Sequence, residues 1–483
     1  MRHQAINPYL PSYEYIPDAE PRVFGDRVYI YGSHDRFNWP IFCLNDYVCW
    51  SAPLSDLSDW RYEGVIYRKK QDPLNKTGLR CLYAPDMVQG PDGRYYLYYA
   101  FDFMGVMGVA VADDPAGPFA FYGHVRFADG HRWGSRSGEP FPFDPGVLVD
   151  DDGRVYLYSG FATKTPAIAS RGHDLTNPGG VVLELEQDML TIKDGPELLF
   201  PRKGNGAPPE YAGHEFFEAS SIRKVDRRYC FVYSSSCNHE LCYAVSDSPK
   251  GPFSYGGVLV SVGDVGLPGV PDEAHARDYL GNTHGGMVEL NGTWYIFYHR
   301  QTNRHSYSRQ ACAEPLTMTE DGRFLQAERT SCGLNSGPLH DLGFYPAAIA
   351  CNLYSRHGAA RIDMPLSKLR LRAHPCFTQN GKDGNEQAVQ YIRNMRDGAV
   401  AGFKYFDFRE PRSVRVTVGG KGEGEMQISL SEDFSRPAAS IPLHVGGGVV
   451  SAEGKLELTP GVHPLYFRYA GKGSIDFYSF DLI

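Results

Sequence analysis

Five stretches of the chain repeat one alternation of polar turn and apolar strand: GDRVYIYGS, DGRYYLYYA, DGRVYLYSG, DRRYCFVYS and NGTWYIFYH. Each opens on a turn and runs into aromatic and β-branched residues, the pattern of a hairpin strand. They recur roughly 60 to 75 residues apart, long for a propeller blade but sufficient for four strands and one extended loop. An ionisable residue precedes each turn at a similar offset: Asp18, Asp86, Asp144, Glu218 and His284. If the repeats are blades around an axis, the innermost strand of each lines the channel. The residues at the strand starts then converge on its mouth. The pattern predicts an all-β chain that begins with a five-bladed β-propeller.

The pattern changes after the fifth repeat. A Gly/Ser/Pro-rich stretch, CGLNSGPLHDLGFYP, reads as a linker. Beyond it, SVRVTVGG, EMQISLS, HPLYFRYAG and SIDFYSFDLI are short alternating strands divided by Gly-rich turns. That spacing predicts a β-sandwich. The expected domains are 1–338, a propeller, and 339–483, a sandwich. The 483 residues exceed what one core accommodates, so two domains are the natural expectation.

Composition narrows the function classes. The 53 Gly, 34 Pro and 32 Tyr favour strands and turns over helices. The net charge of -9 and the lack of a Lys/Arg run disfavour a nucleic-acid partner. No apolar run approaches membrane-spanning length, so no membrane partner is expected. The ten cysteines form no C-x-x-C pair and several lie in strand-like runs, where they act as small hydrophobes. With no apolar leader at the N-terminus, a cytoplasmic protein with reduced thiols is the expectation.

The motifs DAEPRVFGDRVYIYGSHD, YAPD, DPGVLVDDDGRVYLYSG, EASSIRK and THGGMVELNGTWYIFYHR fall one to each blade. As a set they resemble glycoside hydrolase family 43, five-bladed propellers that hydrolyse with inversion. Such chemistry needs two carboxyl groups, one protonating the leaving oxygen and one activating water. The acid needs a raised pKa, which a third carboxylate supplies by like-charge repulsion. The resemblance makes Asp18 the general base, Glu218 the general acid and Asp86 the residue that raises and orients the acid. Arg309, in SYSRQACAEPL, matches a family arginine near the active site. The family's fifth-blade histidine, which supports a central ion, usually calcium, through water, matches His284. No cofactor is implied for the chemistry itself. The activity implied is removal of terminal α-L-arabinofuranosyl groups from plant oligosaccharides, with β-D-xylosidase or a dual activity as the alternative.

Other readings stay open at this stage. Glu20, two residues after Asp18, shares its strand face, and Glu215 competes with Glu218. Asp144, beside Pro145, reads as a structural turn residue. His284 reads equally as a buried structural histidine, and Arg309 as the partner of a neighbouring carboxylate. The VDDDG run reads as a solvated hairpin turn. Tyr96, Tyr98 and Tyr156 read as core, whereas Phe37, Trp39 and Tyr83 read as loop aromatics able to stack on sugar, with none favoured over the others. A non-catalytic carbohydrate-binding propeller is the competing class, and an acid, a base and a modulator in three blades argue against it. The N-D-P-N start and R-D-P motif of retaining fructosidases are absent from the sequence. The second domain resembles a degenerate family 6 carbohydrate-binding module, in YIRNMRDGAVAGFKYFDF and HPLYFRYAGKGSIDFYSF, with packing against the propeller as its other role.

Overall fold

The computed structural model describes residues 4–362, 366–410 and 412–483. The first part is a five-bladed propeller. Its inner strands are Glu20–Phe24, Asp86–Gln89, Gly146–Val149, Phe216–Val225 and Met287–Leu290. Each pairs antiparallel with the strand of a sequence repeat: Arg27–Tyr31, Tyr95–Ala100, Val155–Gly160, Arg228–Ser235 and Thr293–Thr302. Blades 1, 2 and 4 have four strands, blade 3 gains a short parallel strand, and blade 5 has three among the described residues.

The two-residue alternation of the repeats is explained by how blades pack. Successive side chains of a strand point to opposite faces. In Arg27–Tyr31, Tyr29 and Tyr31 pack towards Leu97 and Tyr99 of blade 2. Val28 and Ile30, between them, pack towards Tyr295 and Phe297 of blade 5. In blade 2, Tyr96 and Tyr98 face Val155 and Leu157 of blade 3. Both faces are therefore covered, and each fully buried side chain contributes about 1.5–3 kcal/mol. The ring closes where Ala19 bridges Gly285 and accepts a hydrogen bond from the Gly286 N–H at 3.0 Å.

The axis is plugged by charge. Arg22 on blade 1 forks onto Asp86 on blade 2, with Nη2 at 2.6 Å from Oδ2 and 2.7 Å from Oδ1. Asp86 also accepts from the Val147 N–H of blade 3 at 2.8 Å. Arg223 on blade 4 meets Glu20 on blade 1 at 2.7 Å, and Ser221 Oγ donates to the same carboxylate. A Cβ on Gly286 of blade 5 would strike that carboxylate, so only glycine fits there. Four buried charges from three blades thus touch all five.

The second part is one extensively curled sheet with a sandwich-like core. Two long strands, Arg412–Ser429 and Gly461–Leu482, pair with one another and carry most of the remaining strands. Their inward residues, among them Val416, Phe467, Phe477 and Phe480, form its core. The short strand Leu339–His340 already belongs to this sheet. The domains meet through polar and stacked contacts. Tyr15 Oη donates to Gln379 at 2.7 Å, Lys404 reaches Glu328 at 2.8 Å, and Arg300 lies 3.9 Å over the Phe377 ring.

Replacing Asp86 by Ala strands the Arg22 guanidinium in the core. The expected loss is about 3–5 kcal/mol, because a buried charge left unpaired costs far more than the pair contributes. A lower urea midpoint with an unchanged m value checks it. A change within about 0.5 kcal/mol, the range of ordinary surface substitutions, would show that the plug does not hold the blades.

Candidate active site

Above the plug, the loops that enter the inner strands leave a cavity of about 270 Å³. Asp18, Asp144, Glu218, His284 and Arg309 all line it. Asp18 and Asp144 sit at φ of 58° and 44°, and Ala219, beside Glu218, at 70°. Left-handed backbone is costly for such residues and is retained where the surroundings over-determine it. Here it turns Asp18 and Asp144 into the cavity just before their inner strands begin, and Glu218 at a break in the ladder register within its own strand.

Asp18 is held by a cation. Arg309 Nη1 donates to its Oδ1 at 2.8 Å. The rest of the Arg309 fork is bound to Asp35, Nε to Oδ2 and Nη2 to Oδ1, both at 2.9 Å, and the Arg309 N–H joins Oδ2 at 3.0 Å. The guanidinium also lies 4.8 Å over the Phe42 ring. His299 faces Asp18 as a neutral ring. Its Nε2 lies 2.8 Å from the Asn282 carbonyl, which can only accept, so Nε2 carries the proton and Nδ1 accepts from the Asp18 N–H at 3.4 Å. Burial, with Arg309 alongside, pushes the His299 pKa down to about 3. Burial is the largest influence and would raise the Asp18 pKa, but Arg309, together with smaller contributions from His284, His299 and Ser33, holds the carboxyl below its ordinary value. Asp18 is therefore ionised at neutral pH.

The other two carboxyls of the cavity are in the reverse situation. Glu218 is half-buried in the cavity wall, and desolvation there pushes its pKa up to about 8, with the Asp18 charge adding to the rise and Arg309 opposing it. Burial, Glu218 and Asp18 together raise Asp144 well above the carboxylate range. Asp144 Oδ2 accepts from the Ala219 N–H at 3.1 Å, which ties it to the backbone next to Glu218. Among the described lining residues Arg309 is the one strong cation, and it is committed to Asp18 and Asp35. Asp144 and Glu218 thus lie together without a cation of their own, and each keeps its proton at neutral pH. His284 Nδ1 lies 3.5 Å from Asp144 Oδ2, and burial lowers its pKa to about 4, so it is neutral there.

The placement of Asp86 corrects the sequence reading. Its carboxylate is spent on Arg22 and the Val147 N–H in the plug, and it does not line the cavity. The ladder register explains why. Counted back from the last paired residue of each inner strand, Asp18, Tyr83, Asp144, Glu218 and His284 stand five to seven positions away, whereas Asp86 stands three. In blade 2 the outward position belongs to Tyr83, whose carbonyl accepts from Tyr47 Oη. Asp144, read as a turn residue, is the third carboxylate in the cavity. Glu20 lies in the plug with Arg223, and burial pushes its pKa up to about 7. Glu215 points away to Ser236 Oγ at 2.8 Å.

A calcium ion at the axis does not fit these residues. Calcium takes six to eight oxygen ligands. The axial carboxylates Glu20 and Asp86 are each bound to an arginine, so guanidinium groups stand where a cation would. His284 sits among the cavity residues instead.

Several lining residues lacked a sequence signal. Phe42, Phe103, Phe143, Phe161 and Phe217 give the cavity an aromatic wall, and Asn238, Asn282, Ser306 and Tyr307 give it polar edges. Phe217, Ser306 and Tyr307 lie near the starts of strands, and the others come from loops. Asp35 had a signal, since it ends the first-blade motif GSHD. The second domain supports this wall: Asp383 accepts from the Phe37 N–H at 2.6 Å and from Asn45 at 3.2 Å, bracketing the loop that carries Phe42 and Cys43.

The model of Glycosyl hydrolases family 43 matches residues 14–324. A xylosidase/arabinosidase of Thermoclostridium stercorarium is 49% identical over 482 residues, spanning 100% of this chain and 99% of that protein. The crystal structure of a family 43 β-xylosidase/α-arabinofuranosidase from a compost microbial metagenome, in complex with xylotriose, is 27% identical with a TM-score of 0.51, covering 68% of this chain and 98% of that one. An arabinoxylan arabinofuranohydrolase from Bacillus subtilis, 20% identical with a TM-score of 0.51, shares the fold over 99% of this chain and 97% of its own. With its propeller matched by the family model and its full length matched by a relative, the chain belongs to glycosyl hydrolase family 43.

Proposed function

We propose that this glycoside hydrolase is an exo-acting, inverting enzyme that releases terminal α-L-arabinofuranosyl groups from short arabinoxylan or arabinan oligosaccharides. β-D-xylosyl groups are accepted by the same cavity. The observation that carries the reading is a blind cavity with segregated protonation: one carboxylate ionised beside Arg309, and two carboxyls without a cation that keep their protons. The Arg22–Asp86 and Glu20–Arg223 pairs close the floor, so a chain end enters and a chain does not thread. The aromatic wall suits the apolar face of a sugar ring, and the polar edges suit its hydroxyls. Dual specificity draws on the full-length relative, named a xylosidase/arabinosidase.

In this mechanism Asp18 removes a proton from water as the water oxygen attacks the anomeric carbon. Glu218 donates its proton to the glycosidic oxygen as that bond breaks. Desolvation and the Asp18 charge keep Glu218 protonated, and Asp144, protonated itself, is tied to the backbone beside Glu218 through the Ala219 N–H. Arg309 keeps Asp18 ionised and is itself clamped by Asp35. No cofactor enters the reaction. Among the described residues, which include all ten cysteines, no disulfide forms, and this supports a cytoplasmic site of action on imported oligosaccharides. Bracketing of the pocket loop by Asp383 supports a packing role for the second domain.

Release of 4-nitrophenol from the α-L-arabinofuranoside and the β-D-xyloside tests the assignment. Wild type is expected to turn over both. Asp18→Asn is expected to lose about 10²–10⁴-fold in kcat on each, the usual worth of general acid–base catalysis. Glu218→Gln is expected to lose as much on xylobiose but less on the aryl glycosides, whose leaving group needs little protonation. Proton NMR of the first-formed sugar is expected to show the inverted anomer; retention would overturn the base assignment.

Asp144 carries its own proton, so Asp144→Asn leaves the charge around Glu218 unchanged. The Glu218 pKa, set by desolvation and the Asp18 charge, is expected to stay at about 8, and the alkaline limb of kcat/KM with it. A limb moved to lower pH would show that Asp144 is ionised and tunes the acid.

A further inference from the structure

A second cluster of ionisable groups lies outside the cavity, at the pocket-side end of blade 4. His214 Nδ1 is 2.6 Å from Glu240 Oε1, Cys242 Sγ is 3.5 Å from the same oxygen, and Sγ and Nδ1 are 3.9 Å apart. Ser235 Oγ also donates to that oxygen at 2.6 Å. Three donors therefore converge on one carboxylate oxygen. Cys242 is buried, yet its sulfur faces Glu240, His214 and the Tyr255 hydroxyl at 3.8 Å, unlike a thiol that merely fills core. The mechanism uses none of these groups.

We propose that His214, Glu240 and Cys242 form a binding site for a zinc-class divalent ion. A tetrahedral zinc with bonds of about 2.0–2.3 Å places neighbouring nitrogen, oxygen and sulfur ligands about 3.3–3.6 Å apart. The two separations that involve Cys242 are already near that range. The third opens by less than about 1 Å when the ion takes the place of the proton between His214 and Glu240. A nitrogen, oxygen and thiolate set selects zinc over calcium or magnesium, which take oxygen alone. Neighbouring side chains fix the ligands in place: Ser235 holds the carboxylate, and Tyr255 stacks on the His214 ring at 5.4 Å. His214 is 34% exposed in its side chain, which provides entry, and a water completes the fourth position. On binding, the Cys242 thiol gives its proton to solvent and the imidazole proton leaves Nδ1 for Nε2 or solvent, so affinity rises with pH. The site brackets the turn between Ser235 and Glu240, which carries Asn238 into the cavity, and lies four residues before Glu218. The ion stiffens this rim and takes no part in the hydrolysis.

Equilibrium dialysis of the chelator-stripped full chain against zinc chloride tests this. One equivalent is expected for wild type at micromolar zinc, with calcium chloride giving none at the site. His214→Ala and Cys242→Ala are each expected to weaken binding at least tenfold while retaining glycosidase activity without metal. Cobalt loading is expected to give a thiolate-to-metal absorption band that Cys242→Ala lacks. Failure to take up zinc, or uptake undiminished in both variants, overturns the proposal. If Cys242→Ala does not fold, His214→Ala decides alone, since its part-exposed side chain is tolerant of truncation.

Discussion

The propeller depends on four buried charges at its axis. Five inner strands converge there and bury the Glu20 and Asp86 carboxylates fully, so neither is stable without a partner. Arg22 with Asp86, and Glu20 with Arg223, solve this by pairing across blades. The Val147 N–H and the close approach of Gly286 bring in the two remaining blades. Apolar packing between neighbouring blades supplies the bulk of the stability, but it is local to each pair of blades. The plug is the one feature that all five share, and it also makes the cavity above it blind.

The cavity inherits its electrostatics from what the plug leaves over. Arg22 and Arg223 are consumed below, so the cavity has Arg309 as its strong cation among the described lining residues. Asp35 and Phe42 fix where that guanidinium points, and it points at Asp18. The other two carboxyls receive no such partner. An ionised group and a protonated pair therefore coexist in one small space, which is the asymmetry acid–base chemistry at neutral pH requires. The C-terminal sheet takes part indirectly, through Asp383 and the loop that bears Phe42.

The architecture and most of the cavity's ionisable residues were legible in the chain itself. The two-residue alternation in stretches such as DGRYYLYYA encodes strands covered on both faces, and five such stretches encode five blades. Asp18, Glu218, His284 and Arg309 were found because strand starts in a repeat must face the axis, and because their motifs resemble those of one family. Asp86 and Asp144 exchanged places because an offset counted along the sequence does not register the ladder. A few residues of inner strand separate the level of the plug from the level of the cavity, and blade 2 places Tyr83 rather than its aspartate at the upper level.

Periodicity and side-chain chemistry, both carried in the sequence, determined the blades, a sheet-rich second domain and the residue types that meet at the axis. Tertiary structure decided the vertical position of each carboxyl, its partner and hence its proton. Those depend on contacts between residues hundreds of positions apart, such as Arg309 with Asp18 and Asp35, or Glu20 with Arg223. A carboxyl's pKa is set by burial and by the nearest opposite charge. Neither is a property of neighbours in the chain, so neither could be read before the chain had folded.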